Sequence, residues 1–194
     1  MNFELDDAYL EIQGQARDLA DSIEHLAAEA DASNEIHPGV LSALKASGLT
    51  DLMVTAEHGG RFESLDPLAI CVVREVLMGT SSHLDSLFAL QGIGSYAITV
   101  GGSTDQRAHW LPRVAKAESL AALALTENDA GSDLKAITTE IESTDDGLIL
   151  RGSKSFISNA GSAAFYVVFA KEGSEFSMVL VPADEKGVSV SPTP

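Results

Sequence analysis

The hydrophobic pattern of the chain changes its period near Ser119, and this change constrains the fold more than any other feature. Before it, apolar residues recur at steps of three and four, as on one face of an α-helix. After it come short apolar runs and alternating segments, which are typical of β-strands, and no helical period returns. The sequence therefore predicts an α+β protein with an N-terminal all-α bundle over residues 1–119 and a β domain over residues 120–194.

Helix-capping signals mark the starts of three helices in the first part of the chain. Pro38 suits the first turn of a short helix. Asp66 followed by Pro67 predicts the start of a longer one. Ser103 with Gln106 forms a capping-box pattern before another. The first helix is predicted from an apolar face made of Ile12, Ala16, Leu19, Ile23, Leu26 and Ala30.

The helix after Asp66, "LAICVVREVLM", is apolar almost all round, and we expect it to be central in the bundle. Its Cys71 is the only cysteine, so an intramolecular disulfide is impossible, and we expect a small buried hydrophobe there. The five histidines are scattered without metal-ligand spacing. No metal site is predicted.

The formal net charge of −17 limits the partners of the chain. A surface this negative repels phosphate backbones and anionic lipids, so nucleic-acid and membrane-surface roles are not expected. No apolar run reaches the ~18 residues of a membrane span, and the acidic N-terminus has no signal-peptide pattern. We therefore expect a cytoplasmic protein.

The second part of the chain contains about five candidate strands. A small β domain normally closes or covers its sheet edges. The sequence ends after these strands, so we expect an incomplete antiparallel β-barrel-like domain that another chain, or a further part of the protein, completes. The candidate strands are 120–126, 136–143, 148–152, 163–170 and 176–181.

A glycine pattern at residues 92–97, "GIGSYA", matches the fingerprint of dinucleotide-binding folds on paper. That fingerprint requires a strand before it and a βαβ unit around it. Here a helical segment precedes it and another follows. We therefore interpret these glycines as places where helices approach closely.

Two polar segments remain as candidates for a ligand site: "TENDAGSD" at 126–133 and "GSKSFISNAG" at 152–161. In both, hydroxyl residues lie beside small residues next to a β segment. Such residues also make ordinary turns, and from the residues alone the turn is the stronger interpretation. A flat heteroaromatic ligand would need edge donors, close backbone approach and an aromatic face. The residues able to supply them are Thr126, Gly131, Ser158 and Phe156.

Together the two segments resemble the signature of the acyl-CoA dehydrogenase family, Thr-Glu-Pro-x-Ala-Gly-Ser-Asp followed by Gly-x-Lys-x-Trp/Phe-Ile-Thr/Ser-Asn-Gly/Ala. "GLTDLMVTAEHGG" and "GGSTDQRAHWLPRVAKAES" resemble two further stretches of the family, so the resemblance covers essentially the whole chain in order. Two family prolines are replaced here, by Asn128 and Thr55. Both changes loosen a turn without removing a functional group.

The resemblance implies an N-terminal helical domain, a middle β domain and a C-terminal four-helix bundle, with FAD between the last two. Thr126 matches the threonine that bonds the flavin pyrimidine side, Ser158 the hydroxyl that donates to N5, and Phe156 the aromatic that packs on the ring. Leu123 and Leu125 match positions lining the flavin, and Gly131 and Ser132 match a turn that touches flavin and the pantetheine arm. The implied cofactor positions are Leu123, Leu125, Thr126, Gly131, Ser132, Phe156, Ile157 and Ser158, and the implied substrate positions are Ser132, Gly94 and Ser95.

The implied reaction is α,β-dehydrogenation of an acyl-CoA thioester, with electron-transferring flavoprotein as the electron acceptor. The family's catalytic base is a glutamate of the C-terminal bundle, so no catalytic residue is assigned here, and Glu127 belongs to the turn of the signature. We expect a partner half or subunit that supplies this bundle, in a hetero- or homo-oligomer. Two alternatives stay open: a flavin monooxygenase or acyl-CoA oxidase on the same fold, and a flavin-free structural subunit that pairs with an active homologue.

Overall fold

The computed structural model describes residues 4–145 and 147–192, and two layers of structure follow each other along the chain. The first layer is helical, and three short 3₁₀ turns connect its helices and the later strands. The α-helices are α1 (Asp7–Asp31), α2 (Pro38–Ser47), α3 (Pro67–Thr80), α4 (Ser82–Gly101) and α5 (Thr104–Ala115). The 3₁₀ turns are Leu49–Met53, Ala56–His58 and Leu134–Ala136.

The helices begin at the predicted capping residues and pack through the predicted apolar face. The carboxylate of Asp66 accepts hydrogen bonds from the backbone N–H groups of Leu68 at 2.9 Å and Ala69 at 3.2 Å, which caps α3. Ser103 and Gln106 form the reciprocal capping box at the start of α5. The predicted face of α1 packs into the core, with only Leu26 half-buried. Its buried members are Ile12, Ala16, Leu19, Ile23 and Ala30.

Helix α3 differs from the expectation that it is central. Its buried residues are confined to one side, which packs on α1 and α4. On the other side Leu68 and Met78 are 47% and 50% exposed, and Cys71 is exposed as well. The prediction of a buried Cys71 is therefore wrong. An apolar helix is buried only on the sides that have neighbours, and composition does not say how many neighbours a helix has.

The second layer is an open five-stranded sheet built around its longest strands. β4 pairs antiparallel with β5 from Phe165↔Pro182 to Glu172↔Glu175. Along its other side β4 pairs parallel with β1 and, at a single position, with β2, while β2 and β3 form an antiparallel hairpin. The strands are β1 (Ala121–Ala124), β2 (Glu140–Thr144), β3 (Gly147–Arg151), β4 (Phe165–Glu172) and β5 (Glu175–Pro182).

This architecture confirms the predicted α+β class and the open, unclosed β domain. The sheet contains parallel as well as antiparallel pairs, whereas a purely antiparallel sheet was expected. The β2–β3 hairpin lies between β1 and β4 in the sequence, and after it β4 runs in the same direction as β1. Thr193 and Pro194 of the predicted β domain lie outside the described residues. Among the described residues, no helix is both long enough and apolar enough to cross a lipid bilayer.

A buried glutamine joins the two layers. The side-chain amide of Gln91 in α4 donates to the carbonyl oxygens of Val114 at 3.2 Å and Ser119 at 2.9 Å. Its oxygen accepts from the backbone N–H of Ala121, the first residue of β1, at 3.1 Å. The "GIGSYA" segment lies inside the same helix, after a helical stretch, so it has no βαβ context. Gln91 therefore fixes where β1 starts relative to α4.

Candidate functional site

The segment after β1 forms a tight turn whose carboxylate points inward. The backbone N–H of Glu127 donates to the Ala130 carbonyl at 2.9 Å, and the reverse bond measures 3.2 Å. The Glu127 side chain is only 7% exposed. A buried carboxylate requires compensating donors, and their identity decides whether it can act as a base.

Five hydrogen bonds compensate the carboxylate of Glu127. Thr138 donates its backbone N–H and its hydroxyl, both at 2.7 Å. Thr139 does the same at 2.9 and 2.5 Å, and the ammonium of Lys154 donates at 2.9 Å. Burial alone would raise the pKa of Glu127, but these donors outweigh it and hold the pKa far below its ordinary value. Glu127 is therefore an ionised structural anchor near neutral pH and is poorly suited to accept a proton there.

Lys154 connects Glu127 to the second polar segment. Besides Glu127, its ammonium donates to the carbonyl of Leu125 at 2.9 Å. Lys154 and Glu127 are 8% and 7% exposed, which makes them a buried ion pair. One residue later, the backbone N–H of Ser155 donates to the carbonyl of Thr126 at 2.9 Å. The two segments, which are far apart in the sequence, are thus one unit in space.

Two small residues complete the junction between the segments. The hydroxyl of Ser155 donates to the side-chain oxygen of Asn128 at 2.6 Å, so the residue that replaces the family proline holds the loop through its side chain. At Gly152, an added Cβ would lie 2.3 Å from the hydroxyl oxygen of Thr139, the residue that bonds Glu127. Only glycine leaves room for this approach.

The loop after Lys154 has an unusual backbone. Phe156 and Asn159 have φ values of 59° and 64°, in the left-handed region that β-carbons disfavour. The Asn159 side chain donates to the carbonyl of Ala121 in β1 at 3.2 Å, and this contact holds the loop against the sheet. Phe156 is 67% exposed. Strain of this kind persists where surrounding contacts impose it, and it is concentrated at functional sites.

Two hydroxyls at this junction are not used by the fold. In the described ranges, neither the Thr126 nor the Ser158 hydroxyl has a hydrogen-bond partner. Ser158 is exposed and Thr126 is half-buried. With the exposed ring of Phe156 beside them, they provide edge donors and an aromatic face, which are the groups that a flavin ring requires. The residues present therefore fit the isoalloxazine ring.

The remaining predicted cofactor residues lie around the same junction. Gly131 and Ser132 are exposed in the turn that follows Ala130. Leu125 is half-buried, and its carbonyl is already bonded to Lys154. Ile157 packs with buried residues of the sheet, so its side chain helps to anchor the loop. Direct contact between these residues and a flavin stays a prediction.

A cavity of about 430 Å³ lies between the helices and the sheet. Ile70 and Arg74 of α3, Ile93 and Tyr96 of α4, and Leu123 of β1 line it, and Arg74 is its one charged lining residue in the described part of the chain. Leu123, which is also a predicted flavin position, is three residues before Thr126 in the sequence. The other lining residues are Met53, Leu65, Ala89, Gly92, Ala97 and Met178.

The predicted substrate residues Gly94 and Ser95 face away from this cavity. An added Cβ at Gly94 would lie 2.7 Å from the Cβ of Ala121, so this glycine permits close approach of α4 to a strand. Ser95 is fully buried, and its hydroxyl donates to the carbonyl of Gln91 at 2.5 Å. Successive residues of a helix point in different directions, so neighbouring residues of α4 line the cavity while these two do not. Neither residue lines the cavity, and their contact with an acyl group stays a prediction.

The buried pair of Glu127 and Lys154 was not predicted from the sequence. Glu127 lies in a turn, as the sequence predicts, but the sequence names no partner for its carboxylate. The available signal was that the second polar segment contains a single charged residue, Lys154, whereas the first contains three of opposite sign, Glu127, Asp129 and Asp133. Charges in such segments are usually solvated, so the pairing is visible only once the segments meet.

Comparisons with protein families agree with the two-layer arrangement. The profile described as "Acyl-CoA dehydrogenase, N-terminal domain" matches residues 6–118. The profile described as "Acyl-CoA dehydrogenase, middle domain" matches residues 122–194. Together they cover the helical layer and the sheet.

Individual relatives extend this likeness. A probable acyl-CoA dehydrogenase, fadE25, of Mycobacterium leprae (strain TN) is 30% identical over 98% of this chain and 50% of its own length. A cyclohexane-1-carbonyl-CoA dehydrogenase of Geobacter metallireducens is 32% identical over 84% of this chain and 44% of its own length. The chain thus spans about half the length of the curated relatives it matches.

A solved structure shows the same fold. The crystal structure of an acyl-CoA dehydrogenase complexed with FAD from Bacillus anthracis superposes on 97% of this chain and 33% of its own, with a TM-score of 0.78 and 27% identity.

Proposed function

The chain belongs to the acyl-CoA dehydrogenase family, and we propose that it supplies the flavin-edge face of an enzyme that oxidises an acyl-CoA to the 2,3-enoyl-CoA. The observation that carries this proposal is the junction of the two signature segments. There a buried ion pair fixes the backbone, while the hydroxyls of Thr126 and Ser158 and the ring of Phe156 are left for a ligand.

We assign the cofactor FAD to this junction. Thr126 would donate to the pyrimidine side of the ring, Ser158 would donate at the N5 edge, and Phe156 would pack on the ring face, as the resemblance to the family implies. Leu123 of β1, which also lines the cavity, would line the flavin. FAD, when bound, supplies the two-electron oxidant for the reaction. Gly131 and Ser132 form the exposed turn that contacts flavin and substrate.

The acyl chain occupies the apolar cavity beside the flavin edge. Burying its methylene groups against Ile70, Ile93 and Tyr96 removes apolar surface from water, at about 25 cal/mol per Å². These protein residues thereby bind and orient the thioester and exclude water from the carbons that react.

The base that removes the α proton comes from the family's C-terminal helical bundle. Glu127 does not supply it, because its five hydrogen bonds hold its pKa far below the ordinary value. We infer that a C-terminal half, on the same polypeptide or on a partner subunit, provides the glutamate and covers the flavin. Electron-transferring flavoprotein is the proposed acceptor of the electrons.

The proposal is tested by the visible absorption spectrum of the purified chain, alone and together with a C-terminal half. We expect flavin bands with the C-terminal half, and bleaching of those bands when acyl-CoA is added without oxygen. Electron-transferring flavoprotein should restore the bands faster than air does. Rapid reoxidation by air would instead favour an oxidase or monooxygenase.

Paired variants separate a flavin site from a simple turn. Ser158→Ala and Thr126→Val should lower the flavin content or shift the flavin spectrum without changing thermal stability. Ser174→Ala is the matched control, because Ser174 is exposed at the far end of the β4–β5 hairpin. A folded complex without flavin bands, unaffected by either site variant, would show that the chain is a structural subunit.

A further inference from the structure

Arg74, the one charged residue that lines the cavity in the described part of the chain, forms an ion pair with Asp85, which does not line it. Nε of Arg74 donates to Oδ1 of Asp85 at 2.9 Å, and Nη2 donates to Oδ2 at 2.7 Å. This is the bidentate geometry in which arginine binds a carboxylate most strongly. The Arg74 side chain is 43% exposed and lines the cavity, whereas Asp85 is 1% exposed.

The unequal burial of the two groups decides what the pair does. A carboxylate as buried as that of Asp85 depends on its cation, because water cannot replace it. Arg74 is partly exposed, so it would remain hydrated if the pair were broken. The charge of Arg74 is therefore committed to Asp85, and the cavity wall is electrically neutral as a whole.

A neutral wall affects which acyl chains can enter. A chain that ends in a carboxylate could bond only the N–H groups of Arg74 that Asp85 leaves free, and it would bring a second negative charge to a guanidinium that Asp85 already neutralises. Otherwise its own carboxylate would stay unpaired among apolar side chains, which is equally unfavourable. A chain with an apolar end meets neither penalty, since it packs beside Ile70 and Tyr96.

We propose that Asp85 determines substrate specificity by neutralising Arg74, so that the cavity selects acyl chains with an uncharged apolar end over chains that end in a carboxylate. The inference rests on the proposed function, because it assumes that the cavity takes the acyl group. A purely structural role of the pair, as a link between α3 and α4, predicts instead that removing the charge of Asp85 leaves the selectivity unchanged.

Isothermal titration calorimetry on the full-length protein tests this directly, with two thioether probes. One is hexyl-CoA and the other is its ω-carboxy derivative. Neither has a thioester carbonyl, so neither can be dehydrogenated and binding is measured alone. The wild-type protein should bind hexyl-CoA at least about tenfold more tightly than the carboxylated probe.

Variants then assign the selectivity to the pair. Asp85→Asn frees the guanidinium of Arg74, and it should reduce the preference for hexyl-CoA about tenfold or reverse it. The double variant Arg74→Gln/Asp85→Asn has no charge at either position and should restore the preference. Thermal unfolding confirms that each variant is folded.

The outcomes separate this inference from the proposed function. If the wild-type protein binds both probes equally, or prefers the carboxylated one, the inference is overturned, although the cavity is still an acyl site. This result does not depend on whether Asp85→Asn folds. If Asp85→Asn is folded and keeps the wild-type ratio, the pair is structural only. If neither probe binds, the cavity is not an acyl site, and the proposed function falls with the inference.

Discussion

Replacing Lys154 by methionine should destabilise the protein much more than an ordinary surface change. Lys154 and Glu127 are 8% and 7% exposed, and their charged atoms are 2.9 Å apart. Removing one partner of a buried ion pair typically costs about 3–5 kcal/mol, because the other charge stays buried. Glu127 keeps four further hydrogen bonds in the variant. We therefore expect the lower end of that range, a loss of about 3 kcal/mol in the free energy of unfolding.

The assay is urea-induced unfolding, followed by circular dichroism and by the fluorescence of Trp110. Trp110 is the only tryptophan in the sequence, and its ring lies 4.6 Å from that of Phe165 in β4, centroid to centroid. Its emission therefore reports on the packing of the helices against the sheet. The variant should unfold at a lower urea concentration, with both probes shifting together.

The exposed pair of Arg151 and Glu142 is the matched control for Lys154→Met. Its side chains are 54% and 56% exposed, so Arg151→Met should reduce the free energy of unfolding by less than about 1 kcal/mol. If Lys154→Met lowers the free energy of unfolding no more than this control does, the buried pair does not hold the two segments together, and the reasoning fails.

The pH dependence gives a second test of the same anchor. The pKa of Glu127 is lower in the folded state than its ordinary 4.5. A carboxyl group of this kind stabilises the fold fully above pH 4.5, and the stabilisation is lost as the pH falls below that value. In Glu127→Gln, the free energy of unfolding should be lower at neutral pH and should depend less on pH in the acid range.

Three further predictions concern the framework. Asp66→Ala removes the cap of α3 and should lower the free energy of unfolding by about 1 kcal/mol, whereas Asp66→Asn should lower it less; chemical denaturation measures both. Gly94→Ala brings a Cβ to 2.7 Å from that of Ala121, so the melting temperature should fall with a loss of about 1–3 kcal/mol. Burial lowers the pKa of His83 despite the nearby Asp31, so stability should decline as the pH falls below about 6.5, and His83→Gln should remove that decline in pH-dependent unfolding.

The helical layer was predictable because its signals are local. The cap of α3 needs only Asp66 and the backbone that follows it, and the capping box of α5 needs only Ser103 and Gln106. The buried face of α1 follows from helical period alone. The burial of Cys71 could not be predicted in this way, because it depends on how many elements surround α3.

Strand direction depends on contacts that the sequence does not display. The alternating and apolar segments predicted the strands themselves. The parallel pairing of β1 with β4 joins Ala121 to Phe165, across the whole hairpin that lies between them. A short apolar strand has the same pattern whichever way its neighbour runs, so the sequence could not distinguish a mixed sheet from an antiparallel one.

The two signature segments divide their residues between holding the loop and facing outward. Glu127, Lys154 and Asn159 are engaged by the fold, through the ion pair and the bond to β1. Thr126 and Ser158 keep their hydroxyls free in the described part of the chain. The first polar segment is therefore a turn, and under the proposed function it is also part of the flavin site. It follows that substitutions in the first group should lower stability and flavin binding together, whereas substitutions in the second should change flavin binding alone.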